Sequence, residues 1–141
     1  MLKINRSAAA IPAQDIKRAR SFYEQKLGLK PTEQQPDGSV FYAVGETMFF
    51  VFPSMGKASG DHTQLGLEVD DAEAAANEIR GKGVKLEEYD TPDFKTKNGI
   101  AEVGGGKGFW LKDTEGNLIA VMERVPAGAT TSTREGMSTS R

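Results

Sequence analysis

Cysteine is absent from this 141-residue chain, and histidine occurs once, at His62. The first absence removes disulfides, thiolate nucleophiles, iron–sulfur clusters and Cys-ligated zinc together. The second excludes, within one chain, any His-pair metal site or two-histidine acid–base scheme. No apolar run approaches the roughly 20 residues of a membrane span. No basic block is present either. The 18 Lys/Arg against 20 Asp/Glu leave a formal net charge of −2, which argues against a nucleic-acid partner, because that affinity rests on clustered cations. The opening MLKINRSAAAIPAQD lacks the apolar stretch of a secretory signal, so a cytoplasmic location is expected.

Several motifs fail on inspection. Val103–Gly108 (VGGGKG) is glycine-rich, but Gly108 follows Lys107 where a phosphate loop needs Ser or Thr, and a strand is expected next instead of a helix. It reads as a loop or bulge at the rim of a cleft. Asp113–Arg124 superficially matches a calcium loop, yet Leu118 stands at the glycine position and Arg124 at the final glutamate. There is no G-x-S-x-G nucleophile elbow.

What is present is a globular composition, 38% apolar with 16 glycines, and a repeat. Asp15 followed by IKRARSFYEQKLGLK and Asp71 followed by AEAAANEIRGKGVK each place an N-capping carboxylate ahead of an amphipathic stripe. The first stripe is Ile16, Ala19, Phe22, Tyr23 and Leu27. The second is Ala72, Ala75, Ala76 and Ile79. Gly28 and Gly83 stand where a left-handed helix terminus is needed. Strands are expected at Ser7–Ala13, Lys30–Gln34, Val40–Val44 and Thr47–Phe52, then at Thr63–Val69, Val84–Tyr89, Lys107–Lys112 and Leu118–Glu123. The chain therefore divides into a first βαβββ module (1–53), a linker (54–62), a second βαβββ module (63–125) and a Ser/Thr-rich flexible tail (126–141).

One helix cannot cover both faces of a four-stranded sheet. Two such halves side by side predict an α+β fold with a curved eight-stranded mixed sheet, helices outside and a cleft inside, a usual place for a small-molecule site. Alternation along 47–52 sends Phe50 and Phe52 to one face and Phe49 and Val51 to the other, with Phe50 and Phe52 expected inward. Small residues at Ala8, Ala10, Gly66 and Ala120 leave room in the cleft, and Phe50, Phe52, Trp110 and Met122 make it apolar and aromatic. The indole of Trp110 needs a hydrogen-bond acceptor if buried, and core packing is weighed there against ligand stacking. The long connection Tyr89–Ala101 reads either as a lid, with Lys95, Lys97 and Asn98 offering polar contacts, or as a merely solvated loop.

The motifs IPAQDIKRARSFYEQKLGLK, QLGLEVDDAEAAANEIRGKGV and GFWLKDTEGNLIAVME, in this order, resemble the vicinal oxygen chelate superfamily, which includes glyoxalase I, extradiol dioxygenases, fosfomycin resistance enzymes and bleomycin resistance proteins. The resemblance implies a divalent metal held on inner strands. Its ligand positions, seven residues before each capping Asp and three after Gly116-Asn117, fall on Ala8, Gln64 and Ala120. Two methyl groups and one neutral amide make a poor cation site. The expectation is thus no metal and no cofactor, and a small hydrophobic or aromatic ligand bound at Ala8, Ala10, Phe50, Phe52, Gln64, Gly66, Trp110, Ala120 and Met122. The resemblance also implies a homodimer. The alternatives are a glyoxalase-type lyase or extradiol dioxygenase with relocated metal ligands (His62 with Glu46, Glu68 or Glu102), and a metal-free isomerase or lyase using buried Glu68 or Glu102 as base.

Overall fold

A computed structural model describes residues 2–92, 94–103 and 105–123. The tail expected at 126–141 lies outside the described residues. The chain separates into two compact units, Met1–Ala58 and Ser59–Arg141.

In the first unit, β1 (Ala9–Ala13) leads into α1 (Ile16–Ser21), which continues as one π-helical turn over Phe22–Lys26. There follow β2 (Pro31–Gln34), β3 (Val40–Val44) and β4 (Thr47–Pro53), and the sheet order is β1-β4-β3-β2 with β1 parallel to β4. Asp15 caps α1 as its sequence position predicts, its carboxylate accepting the Arg18 N–H at 3.0 Å. Gly28 takes φ +74°, so the chain reverses directly after the helix. Ala19, Phe22 and Tyr23 are buried from the expected stripe, and Tyr23 meets the Tyr42 and Phe49 rings at 5.9 and 5.6 Å. Ile11, Val40 and Val51 complete this core.

The second unit repeats the plan: β5 (Thr63–Val69), α2 (Ala72–Gly81), β6 (Ala101–Val103), β7 (Gly106–Lys112) and β8 (Leu118–Glu123), in sheet order β5-β8-β7-β6 with β5 parallel to β8. Asp71 caps α2 through the Ala74 N–H at 3.0 Å. From β8, Glu123 adds a second cap, accepting Ala72 N–H at 2.9 Å and Lys107 N–H at 3.0 Å. These backbone bonds hold its carboxyl below the usual carboxylate range. Leu65, Phe109, Leu111, Ile119 and Val121 pack with Ala72, Ala76 and Ile79 as the core beneath α2. The fold is α+β, two βαβββ modules, with the eight strands shared between two four-stranded mixed sheets.

Three expectations need correction. The first strand begins at Ala9, so Ser7 and Ala8 precede it. The first helix ends in a π turn, with Leu27 N–H bonding back to the Phe22 carbonyl at 3.2 Å. The strand expected at Val84–Tyr89 shrinks to one bridge between Leu86 and Leu111 and one bond from Glu87 N–H to the Trp110 carbonyl. The fourth strand of the sheet is β6, which pairs with β7 further along, Ala101 opposite Gly108. The reason is local: Lys85, Glu87 and Glu88 suit a strand poorly, and from Tyr89 the chain folds back on itself. Thr96 Oγ1 accepts the Tyr89 N–H at 2.9 Å and donates to Glu88 at 2.6 Å.

The β7–β8 turn is more ordered than a solvated hairpin. Asp113 Oδ1 accepts the N–H groups of Glu115 and Asn117 at 2.8 and 2.9 Å, and the Asn117 side chain donates to Asp113 Oδ2 at 2.8 Å. All three residues are buried. Such a self-bonded turn fixes where β8 starts, and therefore which face receives Ala120 and Met122.

Candidate functional site

Each sheet has one face under its helix and one face turned away from it. In the first unit, Phe49 and Val51 are buried on the α1 side, which sends Phe50 and Phe52 to the open face. There Phe50 stacks on Phe41 with centroids 4.9 Å apart, and Phe52 lies 6.1 Å from Phe50. Ala10 is the register partner of Phe50 and is exposed. Ala8 stands exposed ahead of β1, outside the sheet. The open face of the first sheet is thus a half-buried aromatic strip flanked by a small residue.

In the second unit, Gly66, Ala120 and Trp110 are register neighbours across β5, β8 and β7, and Met122 pairs with Gly108. Gly108 is a requirement of the packing, since a Cβ there would run into the Met122 sulfur and the Val121 carbonyl. At Gly66, by contrast, a Cβ would meet nothing within 4 Å. Gln64 is half-buried at the start of β5. Trp110 is only 7% exposed, and its indole N–H donates to Thr63 Oγ1 at 3.3 Å. Phe94 and Tyr89 stand edge-on against it at 5.1 and 5.9 Å. Burial pushes the Tyr89 phenol up from its ordinary value. The long 89–101 connection therefore uses its aromatic residues to cover Trp110. Tyr89 and Phe94 were not singled out in the sequence, and only their position in an overlong connection hinted at them.

The same connection sends its polar residues elsewhere. Lys95, Lys97 and Asn98, expected as contacts from a lid, line a groove against α2 together with Glu73, Asn77 and Arg80. Glu102 and Lys107, register partners on β6 and β7, complete it. The α2 residues of this groove, spaced i, i+4 and i+7, were legible only as the solvent face of an amphipathic helix.

The donor set for a divalent metal does not fit. Ala8 and Ala120 offer no donor atom, and Ala120 is 5% exposed among Trp110, Leu118 and Ala101. His62 is exposed in the bend before β5. Among the described residues no group of three His, Cys, Asp or Glu side chains comes together. Nor is either proposed carboxylate base buried: Glu68 is exposed on the open side of β5, and Glu102 is exposed in the groove beside α2. The burial that such a base requires is absent at both positions.

One buried polar site was not foreseen. Tyr42, fully buried in β3, donates its hydroxyl to Glu24 at 2.9 Å, and Arg20 Nε donates to the same oxygen at 2.8 Å. Partial burial pulls the Glu24 carboxyl upward, but the Arg20 and Tyr42 bonds outweigh it and hold the group below its ordinary value. Burial, reinforced by the Glu24 charge, pushes the Tyr42 phenol well above its own. Glu24 sits in the π turn, so the wider turn is pinned to the sheet by this bond. No helix among the described residues is long and apolar enough to cross a membrane.

Comparison with known proteins agrees with this architecture. Lactoylglutathione lyase from Agrobacterium tumefaciens is similar at TM-score 0.61 and 20% identity, over 85% of this chain and 94% of that one. A glyoxalase family protein from Bacillus anthracis matches at TM-score 0.63 and 15% identity, over 89% of this chain and 100% of that one. The genomically encoded fosfomycin resistance protein of Listeria monocytogenes matches at TM-score 0.62 and 11% identity, covering 88% and 96%. At such identities the likeness concerns the fold alone. No curated protein sequence matches the chain significantly. The family model of the Glyoxalase/Bleomycin resistance protein/Dioxygenase superfamily matches residues 4–121, and with both βαβββ modules and the capping motifs in place the chain belongs to that superfamily.

Proposed function

We propose that this protein is a metal-free binding protein of the bleomycin-resistance type, taking a small hydrophobic or aromatic molecule on its open sheet faces. The observation that supports this most is chemical: where the superfamily's metal ligands are expected, the chain carries Ala8, Gln64 and Ala120, while the open face of the first sheet carries the stacked rings of Phe41, Phe50 and Phe52. Sequestration needs an apolar surface and no catalytic group. A homodimer and a cytoplasmic setting belong to the same proposal.

The test is a pair of measurements on the intact chain. Elemental analysis of protein purified without chelator should find well under one Fe, Mn, Ni or Zn per chain. A thermal-shift screen of small aromatic compounds should then find ligands whose stabilisation is unaffected by chelator and lost in Phe50→Ala. Near-stoichiometric metal, or hits that vanish with chelator, would refute the metal-free reading.

A further inference from the structure

A recessed surface lies on the helix side of the second sheet, away from the residues assigned to the proposed ligand. It is a groove of about 710 Å³ between α2 and the 95–100 turn. From α2 come Glu73, Asn77 and Arg80, from the turn Lys95, Lys97 and Asn98, and from the sheet Glu102 and Lys107. The lining holds four cations against two carboxylates, in a chain whose overall charge is −2. Just outside the lining, Glu88 lies within the field of Arg80, Asp90 near Lys95 and Glu123 near Lys107. Ala76 and Ile100 add an apolar floor.

The charges are unevenly committed. Lys107 is spent on Glu73, with nitrogen and oxygen 2.7 Å apart. Among the described residues Lys95 reaches exposed Asp90, at 3.9 Å, a separation worth little in water. Lys97 is exposed, and its backbone is fixed by the bridge to Ile100, with bonds of 2.8 and 3.0 Å. Thr96, between them and also in the lining, donates to Glu88, whose carboxylate lies within the field of Arg80.

The wall that carries these lysines is seated firmly. Asn98 and Gly99 take φ +56° and +81°, the left-handed pair of a tight hairpin. Arg80 donates to the Asn98 carbonyl. A Cβ on Gly99 would lie 2.8 Å from Leu86 Cδ1 and 2.9 Å from Arg80 Nη2, so the turn closes on α2 with no room to spare. Lys95 and Lys97 are therefore presented from a fixed backbone, which lowers the ordering cost of holding a ligand between them.

We propose that this groove binds a small organic molecule bearing two or more oxyanion charges, a phosphate ester or a polycarboxylate, held by Lys95, Lys97 and Arg80. The site is separate from the open faces, so its failure would leave the reading of those faces untouched. Pyrophosphate and citrate serve as probes in isothermal titration on the full chain. At least one should bind at about 20 mM salt and weaken several-fold by about 200 mM, as an exposed charged site must. Pyrophosphate alone identifies a phosphate reader, citrate alone a carboxylate reader, and both a site that reads charge. The K95Q/K97Q chain should bind about tenfold more weakly or worse, with its melting temperature unchanged because both side chains are exposed. The K3Q/K30Q chain, which loses the same net charge from exposed positions in the first unit, should bind as the parent does. Glu73→Gln, which removes a competing carboxylate and releases Lys107, should tighten binding. Absence of binding by both probes overturns the proposal. So does equal loss in K95Q/K97Q and K3Q/K30Q, or a Glu73→Gln chain that binds no better than the parent.

Discussion

Replacing Tyr42 by Phe isolates the hydrogen bond that ties the π turn to the sheet. The ring contacts with Tyr23 and Phe49, at 5.9 and 5.4 Å, persist in the variant, so only the hydroxyl is lost. A bond to a charged acceptor contributes about 1.5–3 kcal/mol. Glu24 keeps its bond to Arg20 and its side chain is 26% exposed, so water can take the vacated position. The lower end, about 1.5 kcal/mol, is therefore expected at pH 7, a drop of roughly 5 °C in melting temperature for a chain of this size. The pH dependence sharpens the test. Glu24 titrates below its ordinary value of 4.5 in the folded state, so its stabilisation is present above that value and is lost as pH falls through the folded one. Part of that depression comes from Tyr42, so parent and variant should converge in acid. At the other end, the phenol of Tyr42 titrates far above its ordinary 10.0. The parent should therefore lose stability above about pH 10 as the unfolded chain ionises, a loss the variant does not share at this position. Urea unfolding at stepped pH measures all of this. Equal stability at pH 7, or a gap that stays constant into acid, would refute the reasoning.

Asp15→Ala should cost about 1 kcal/mol, seen as earlier urea unfolding, because Asp15 supplies the side-chain cap of α1. At the second helix Glu123 still bonds Ala72 N–H after Asp71→Ala. Amide exchange there should accelerate most at Ala74, whose N–H loses its acceptor, and less at Ala72. Gly108→Ala should destabilise by about 1–3 kcal/mol by driving a methyl into the Met122 side chain. The double variant Gly108→Ala, Met122→Ala should recover part of that loss, and an absence of recovery would show that the Val121 carbonyl is the harder obstacle.

Much of the architecture could be read from residue order because its signals are local. A carboxylate ahead of an apolar stripe and a glycine after it define a helix within one stretch of chain, and both copies here obey that rule at Asp15–Gly28 and Asp71–Gly83. Strand alternation likewise separates Phe50 and Phe52 from Phe49 and Val51 without any knowledge of the fold. The π turn escaped such reading, since the bond that pins it, donated by the Tyr42 hydroxyl to Glu24, spans 18 residues. Val84–Tyr89 reads as a strand from its place in the repeat, but only Leu86 and Glu87 meet β7, at Leu111 and Trp110, before the chain folds back through the Tyr89–Thr96 bond, a contact seven residues apart that residue order does not announce.

The site divides in the same way. Which residue types occupy Ala8, Gln64 and Ala120, and hence that two methyls and one neutral amide stand there, is a property of the one-dimensional order alone. Whether Trp110 meets solvent or Phe94, and whether Lys95 and Lys97 turn toward an open face or toward α2, was decided by how a thirteen-residue connection, Tyr89–Ala101, folds over its own sheet. Local rules carry helices and alternation because the interactions behind them span a few residues. Long connections answer to contacts distant in sequence, and those exist only once the sheet has formed.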